Sequence, residues 1–221
     1  MRIGTKSVLY GAHTFWLHPW LVAWGWWKLY GFPWDPRLWV AFFVHDLGYW
    51  GSPNMDGEEG ERHPEWVAKL MTRLFDRGPT DSHTRIIIHR HDHLDEFGGQ
   101  RMHDIFTLGR WGTFALYHSR FYAKSQNARP SRLCIADKLS ICITPWWIYR
   151  WTAGLTGEIR EYRQDAANPS KGWDNAPGTN RDWYVSMQAY MRAWIAEHKD
   201  GREDTWTPNQ RQAGGDSGVR E

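Results

Sequence analysis

The chain has 221 residues, of which 41% are hydrophobic and 24% charged, and its formal net charge is +2. That length supports one complete core with a short tail. The near balance of charge excludes the strong basic footprint of a nucleic-acid binder.

In chain order, residues 17 to 30 predict a buried helix with His18-Pro19 near its start, broken at Phe32-Pro33. Asp35-Pro36 then supplies an N-cap followed by proline at the first helical position, and a helix over about 36 to 47 carries His45 and Asp46 at its end. Residues 48 to 61, rich in glycine, predict a loop. His63-Pro64-Glu65 opens a helix whose apolar face is Val67, Leu70, Met71 and Leu74, stopped by Gly78-Pro79. The stretch through Ile86-Ile87-Ile88 to His93 reads as a short helix or a strand. Residues 95 to 112 read as polar and Gly-rich, 113 to 124 as one helix, and Pro130-Ser131 as the start of a helix to about 143 that Pro145 ends. Residues 165 to 181 read as a loop and 181 to 198 as a last amphipathic helix. No element is assigned between Pro145 and residue 165. These elements predict an all-α single domain over residues 1–199, followed by a disordered polar tail over 200–221.

The 17 Trp residues cluster at 16 to 50, 146 to 151 and 173 to 206. They are expected in the core, with a Trp-rich surface as a route to a homo-oligomer. Cys134 and Cys142, eight residues apart on one helix, are separated by about 12 Å of rise. That is too far for a disulfide and fits reduced core thiols of a cytoplasmic protein. The N-terminus has no apolar signal core, and the apolar run from Trp20 to Trp27 is too short to span a membrane.

The most telling local feature is the doublet His45-Asp46, where the apolar run Ala41-Phe42-Phe43-Val44 ends in two metal-competent side chains. Imidazole and carboxylate suit borderline to hard divalent ions, and a buried carboxylate needs a compensating charge. The doublet has company in a fixed order: His18 with Val22-Ala23 four positions on, His45-Asp46-Leu47-Gly48, and Ser131-Arg132-Leu133-Cys134-Ile135-Ala136-Asp137-Lys138-Leu139. Over about residues 13 to 143 this order resembles the HD-domain superfamily of metal-dependent phosphohydrolases.

The resemblance implies an HD-domain-like helical bundle with metal ligands at helix ends. It implies His18, His45, Asp46 and Asp137 around one divalent ion, with His13 as the alternative to His18. His63, 17 residues after Asp46, resembles the additional histidine of the dinuclear branches. The fourth histidine would be His118 or His89; His91 and His93 are further candidates, and His89 and His93 would share a helix face. Asp46 would then bridge two ions. A mixed His and carboxylate set keeps coordination positions open and suits Mn, Fe, Co or Mg. Such an ion lowers the pKa of bound water and orients a phosphate.

Asp46 and His63 are thus the expected catalytic residues, and His118, Arg120, Lys124 and Lys138 the expected phosphate contacts. Arg90 is a further cation beside the ligands, and Tyr49, Trp50 and Tyr117 are candidates to stack on a base. The expected reaction is hydrolysis of a nucleotide or other small phosphate ester. The alternatives are a dinuclear-iron oxygenase and a non-catalytic metal-stabilised binding module. One departure stands out: Leu47, Gly48, Tyr49 and Trp50 occupy the stretch where some mononuclear nucleotidases of the family carry a glutamate. The base would then be the ion-activated water itself, or Asp56, Glu58 or Glu59. The signature loop of the cyclic-dinucleotide branch is also absent after His89.

Overall fold

The computed structural model describes residues 1–77, 84–89, 103–166 and 178–206. It is mostly helical, as expected. The elements are α1 (Ile3–Tyr10), α2 (His18–Tyr30), α3 (Pro36–Val44), a 3-10 turn (Leu47–Tyr49), α4 (Glu58–Glu61), α5 (His63–Phe75), β1 (Thr84–His89), β2 (His103–Leu108), α6 (Arg110–Leu116), α7 (Arg120–Ser125), α8 (Arg132–Ile143), α9 (Trp146–Thr156), α10 (Glu158–Ala166) and α11 (Asn180–His198). Among the described residues no helix is long and apolar enough to cross a membrane.

Local chemistry sets several boundaries. Asp35 caps α3 by accepting the Arg37 N–H at 2.9 Å, with Pro36 next in line. Ser131 caps α8 by accepting from the Cys134 N–H. Thr179 and Asp182 form a capping box that starts α11.

The structure corrects the chain-order reading in specific places. The triple isoleucine lies in β1, which pairs antiparallel with β2 from Thr84↔Leu108 to His89↔His103. The β-branched run and the partner strand prevail over helix formation, so His89 ends a strand rather than lying on a helix. His91 and His93, with Arg90, lie outside the described residues, as does the side chain of His89. The expected helix over 113 to 124 is two helices, α6 and α7, and His118 sits in the break between them. α3 ends at Val44, leaving His45 as its C-cap and Asp46 at the entry to the 3-10 turn. The predicted loop over 48 to 61 contains α4. α1, α9 and α10 occupy stretches to which the sequence assigned no element.

Order also continues past residue 200. Asp204 is buried and accepts from the indole N–H of Trp194 at 3.1 Å and from the Trp206 backbone N–H at 3.0 Å. The Trp206 indole donates to Glu197 at 2.8 Å. The chain through Trp206 is therefore packed on α11, and residues 207–221 lie outside the described part.

α8 runs between two apolar cores. Leu133 and Ala136 pack with Val22, Phe42, Val67 and Ala115 from α2, α3, α5 and α6. Cys134 and Ile135 pack with Tyr149, Ile159, Trp183 and Trp194 from α9, α10 and α11. Both cysteines are buried and unpaired, as expected. Burial on both sides explains why α8 shows no one-sided apolar pattern. It also carries Asp137 into the centre of the molecule.

Candidate metal centre

Two close approaches bring the ligands together. α2 lies so close to α8 at Gly25 that a Cβ there would collide with the Ala136 carbonyl. This contact sets His18 opposite Asp137. At Gly48 a Cβ would land on the His63 carbonyl oxygen. The 3-10 turn therefore rests directly on the start of α5, and Asp46 meets His63.

The result is two groups of potential ligands that share one carboxylate. His18, His45, Asp46 and Asp137 form the first, and Asp46, His63 and His118 the second; in each group the ligand atoms lie within 4.8 Å of one another. All six residues are buried. In the first group, Nε2 of His18 is 3.0 Å from Asp46 Oδ2 and 3.1 Å from Asp137 Oδ1. Nε2 of His45 is 3.0 Å from Asp46 Oδ2 and 3.8 Å from Asp137 Oδ1. The second group faces the other oxygen: Asp46 Oδ1 is 3.8 Å from His63 Nε2 and 3.7 Å from His118 Nε2. One oxygen of Asp46 thus serves each group.

The histidine tautomers are set by backbone. His45 Nδ1 donates to the Phe42 carbonyl at 2.9 Å, His63 Nδ1 to the Gly60 carbonyl at 2.6 Å, and His118 Nδ1 to the Ala115 carbonyl at 2.6 Å. A carbonyl can only accept, so each Nδ1 carries the proton and each Nε2 is turned into the site. This is the outer-shell arrangement of metal-ligating histidines. Tyr49 stacks on the His63 ring with centroids 3.8 Å apart and holds it in place. Behind the site, Glu65 on α5 accepts from the Tyr122 hydroxyl on α7 at 2.6 Å, which ties the helix of His63 to the helix after His118.

The residues fit a divalent ion on three counts. Nε2 of His63 and Nε2 of His118 meet at 2.9 Å with both Nδ1 protons held by carbonyls, a contact that a positive charge between them would relieve, and Nε2 of His18 lies 3.2 Å from that of His45 beside Asp46. Asp46 Oδ2 is buried and accepts no well-formed hydrogen bond despite two imidazole nitrogens at 3.0 Å. Ligands about 2.1 Å from a common ion stand about 3.0 Å apart when adjacent and about 4.2 Å when opposite. The observed separations fall in that window.

The electrostatics agree. Burial opposes charge on His45, but the carboxylates of Asp46 and Asp137 outweigh it and raise its pKa to about 10. Burial also opposes charge on Asp46 and Asp137, yet His45 beside Asp46 and Lys138 beside Asp137 hold both carboxyls well below their usual range. His63 shows the opposite balance, pushed well below its ordinary value by burial and by His118. One half of the site demands positive charge, and the other presents the neutral imidazole of His63.

His18, Asp46, His63, His118 and Asp137 open onto a cavity of about 310 Å³. Of the expected phosphate contacts, Arg120 and Lys138 line it. The Arg120 guanidinium lies over the Trp194 ring, 5.2 Å from its centroid, and the Lys138 ammonium is 2.8 Å from Asp137 Oδ2. Lys124 is a correction: it donates to the Asp204 carbonyl at 3.1 Å and is not part of the cavity wall. α7 directs it to the C-terminal segment instead.

Of the candidate bases, Asp56 lines the cavity, whereas Glu59 is exposed and bonded to Asn54 at 2.6 Å. The side chain of Glu58 is outside the described residues. Among the aromatic candidates Tyr49 lines the cavity, while Trp50 is exposed.

His13 also lines the cavity but lies outside both ligand groups. Its Nδ1 sits 2.8 Å from the Ser7 hydroxyl and 3.4 Å from Glu158 Oε2. Asp46 and Glu158 raise its pKa against the opposing effect of burial. Sequence reasoning missed Glu158. It is fully buried, receives the Ala12 N–H at 3.1 Å, and sits 145 positions from His13, with no local pattern to flag it. The chain matches no family model, none of the curated proteins and none of the solved structures.

Proposed function

We propose that this protein is a metal-dependent phosphohydrolase of the HD type, acting on a small phosphate ester. The observation that carries the reading is the division of Asp46, one oxygen toward His18 and His45 and the other toward His63 and His118, in a cavity also lined by Arg120 and Lys138. Bound there, one or two ions of Mn, Fe, Co or Mg would acidify a coordinated water and offset charge on the phosphoryl oxygens.

The chain's own residues supply the rest. His18, His45, His63, His118, Asp46 and Asp137 hold the ions. Arg120 offers a planar donor fork for phosphate oxygens. Lys138 adds positive charge beside Asp137. Asp56, which lines the cavity together with Glu61, is suited to take a proton from the attacking water, in place of the glutamate missing after the doublet. His13, backed by Glu158, is placed to return a proton to the leaving alcohol.

A second reading rests on the second ligand group: two histidines sharing a carboxylate with the first site also suit a pair of irons that activates oxygen. The test supplies Mn, Co, Fe and Mg in turn to stripped protein and follows inorganic phosphate release from a panel of phosphate monoesters. Release with at least one metal is expected. Its absence with all four, together with oxygen consumption by the iron-loaded protein, replaces the hydrolase with the oxygenase.

A further inference from the structure

We propose that the substrate carries an apolar chain: an alkyl- or prenyl-type phosphate monoester, with its phosphate at the His and Asp cluster and its chain along α8, α9 and α11. The proposal rests on the phosphohydrolase reading of the same site, and it comes from the far wall of the cavity. Beyond the ligands, that wall is built from Leu17, Leu21, Ile141, Ile148, Met187 and Met191. Such a surface gains by covering hydrocarbon, and the rings of Tyr149, Tyr162 and Trp183, which also line the cavity, add further apolar area.

Two threonine hydroxyls on the wall are already committed. Thr144 donates to the Ser140 carbonyl at 2.7 Å and Thr152 to the Ile148 carbonyl at 3.1 Å, both within their own helical turns, so they present methyl groups. The Ser140 hydroxyl is buried without a hydrogen-bond partner. It stands one turn after Asp137 on α8 and also lines the cavity. The charged groups of the lining, His18, Asp46, Asp137, Lys138 and Arg120, are at the ion-binding end, and the aliphatic side chains lie beyond them. A ligand that matches this gradient is polar at one end and hydrocarbon at the other.

The chemistry is an ordinary ester hydrolysis. Water oxygen bonds to phosphorus as the ester P–O bond breaks, and the departing alkoxide takes a proton and leaves as the alcohol. α2 bears on where the ligand comes from. Its cavity side carries Leu17 and Leu21, while Trp16, Trp20, Trp24 and Trp27 on and beside it are exposed. The same phosphate could therefore be free in water or sit at a lipid surface.

The test measures binding first, by calorimetry of the Mn-loaded protein with n-alkylphosphonates from ethyl to decyl, whose C–P bond is not hydrolysed. Affinity is expected to rise about threefold to fourfold per methylene until the cavity is filled. Ile148→Trp and Met191→Trp, which fill the wall, should flatten the series, while Ile148→Leu should keep it and so report on folding. A change below about tenfold across the whole series, or tighter binding of adenosine monophosphate than of decylphosphonate, overturns the proposal. A steep series without phosphate release from decyl phosphate leaves the chain-binding cavity standing and removes the hydrolase reading. Co-sedimentation with phosphatidylcholine vesicles that requires phosphatidic acid assigns the ligand to a membrane. Binding of decylphosphonate without co-sedimentation assigns it to free amphiphile.

Discussion

Nε2 of His63 and Nε2 of His118 face each other at 2.9 Å, while the Nδ1 of each ring donates to a carbonyl three residues earlier in the chain. Both protons are committed to backbone, so the facing nitrogens are both acceptors. A positive charge between them and Asp46 would remove that conflict, as the proposed second ion does.

Metal stoichiometry should therefore divide by residue. His63→Ala removes the second group alone and should lower bound metal from two ions to one. Asp46→Ala removes the shared carboxylate and should abolish both. Elemental analysis of each purified variant reads the result. Full metal content in the Asp46→Ala protein would refute the shared site.

Gly48→Ala should damage the same site from a distance. The added methyl meets the His63 carbonyl, and the 3-10 turn must move off α5. Overpacking of this kind costs about 1–3 kcal/mol. The expected outcome is a lower Tm together with loss of the ion that needs both Asp46 and His63. An unchanged Tm with two ions retained would show that the turn accommodates a side chain.

The C-terminal segment separates two truncations. A chain ending after Trp206 should keep its Tm. A chain ending after Lys199 loses Asp204 and leaves the buried Trp194 indole N–H without its acceptor. An unmet buried donor costs about 1–3 kcal/mol, which at this chain length lowers Tm by about 2–4 °C per kcal/mol. Thermal unfolding of the two proteins decides between a packed segment and a dispensable one.

The cysteines should be silent in the folded protein. Burial pushes the Cys134 thiol up to about 12 and the Cys142 thiol up to about 11. The thiolate is the reactive form, so raising the pKa lowers reactivity at any pH below it. A thiol reagent at mildly alkaline pH should label neither residue in the native protein and both in denaturant. Rapid labelling of the native chain would place one of them outside the core.

Much of the site could be read from the chain because its ligands sit in local contexts that leave a mark. His45-Asp46 closes an apolar run, His63 precedes a proline at a helix start, and Asp137 interrupts an apolar helix. His118 was harder to place, since nothing local distinguishes a continuous helix from the break at Tyr117–Ser119. The break depends on tertiary contacts such as the Ser131 N–H donating to the Tyr117 carbonyl at 2.9 Å. Glu158 and Asp204 left no sequence signal, because their partners lie on other elements. The β1–β2 pairing was one of two readings of the triple isoleucine, and only the partner strand decides between them. Gly25 and Gly48 look like any other glycines until the helices they admit are in place.

The carbonyls that fix the three histidines have a consequence of their own. Phe42 lies in the last turn of α3, Gly60 near the end of α4 and Ala115 near the end of α6. Three helix C-termini therefore point their partial negative charge, up to about half an electron each for a full helix, at the back of the ligand rings. Folding has to assemble these dipole ends around two buried carboxylates, and a bound cation offsets their mutual repulsion. The proposed ion would then be a structural member of the bundle as well as a reagent. Chelation should loosen α3, α4 and α6 together, and amide exchange in those three helices should accelerate in step when the metal is withdrawn.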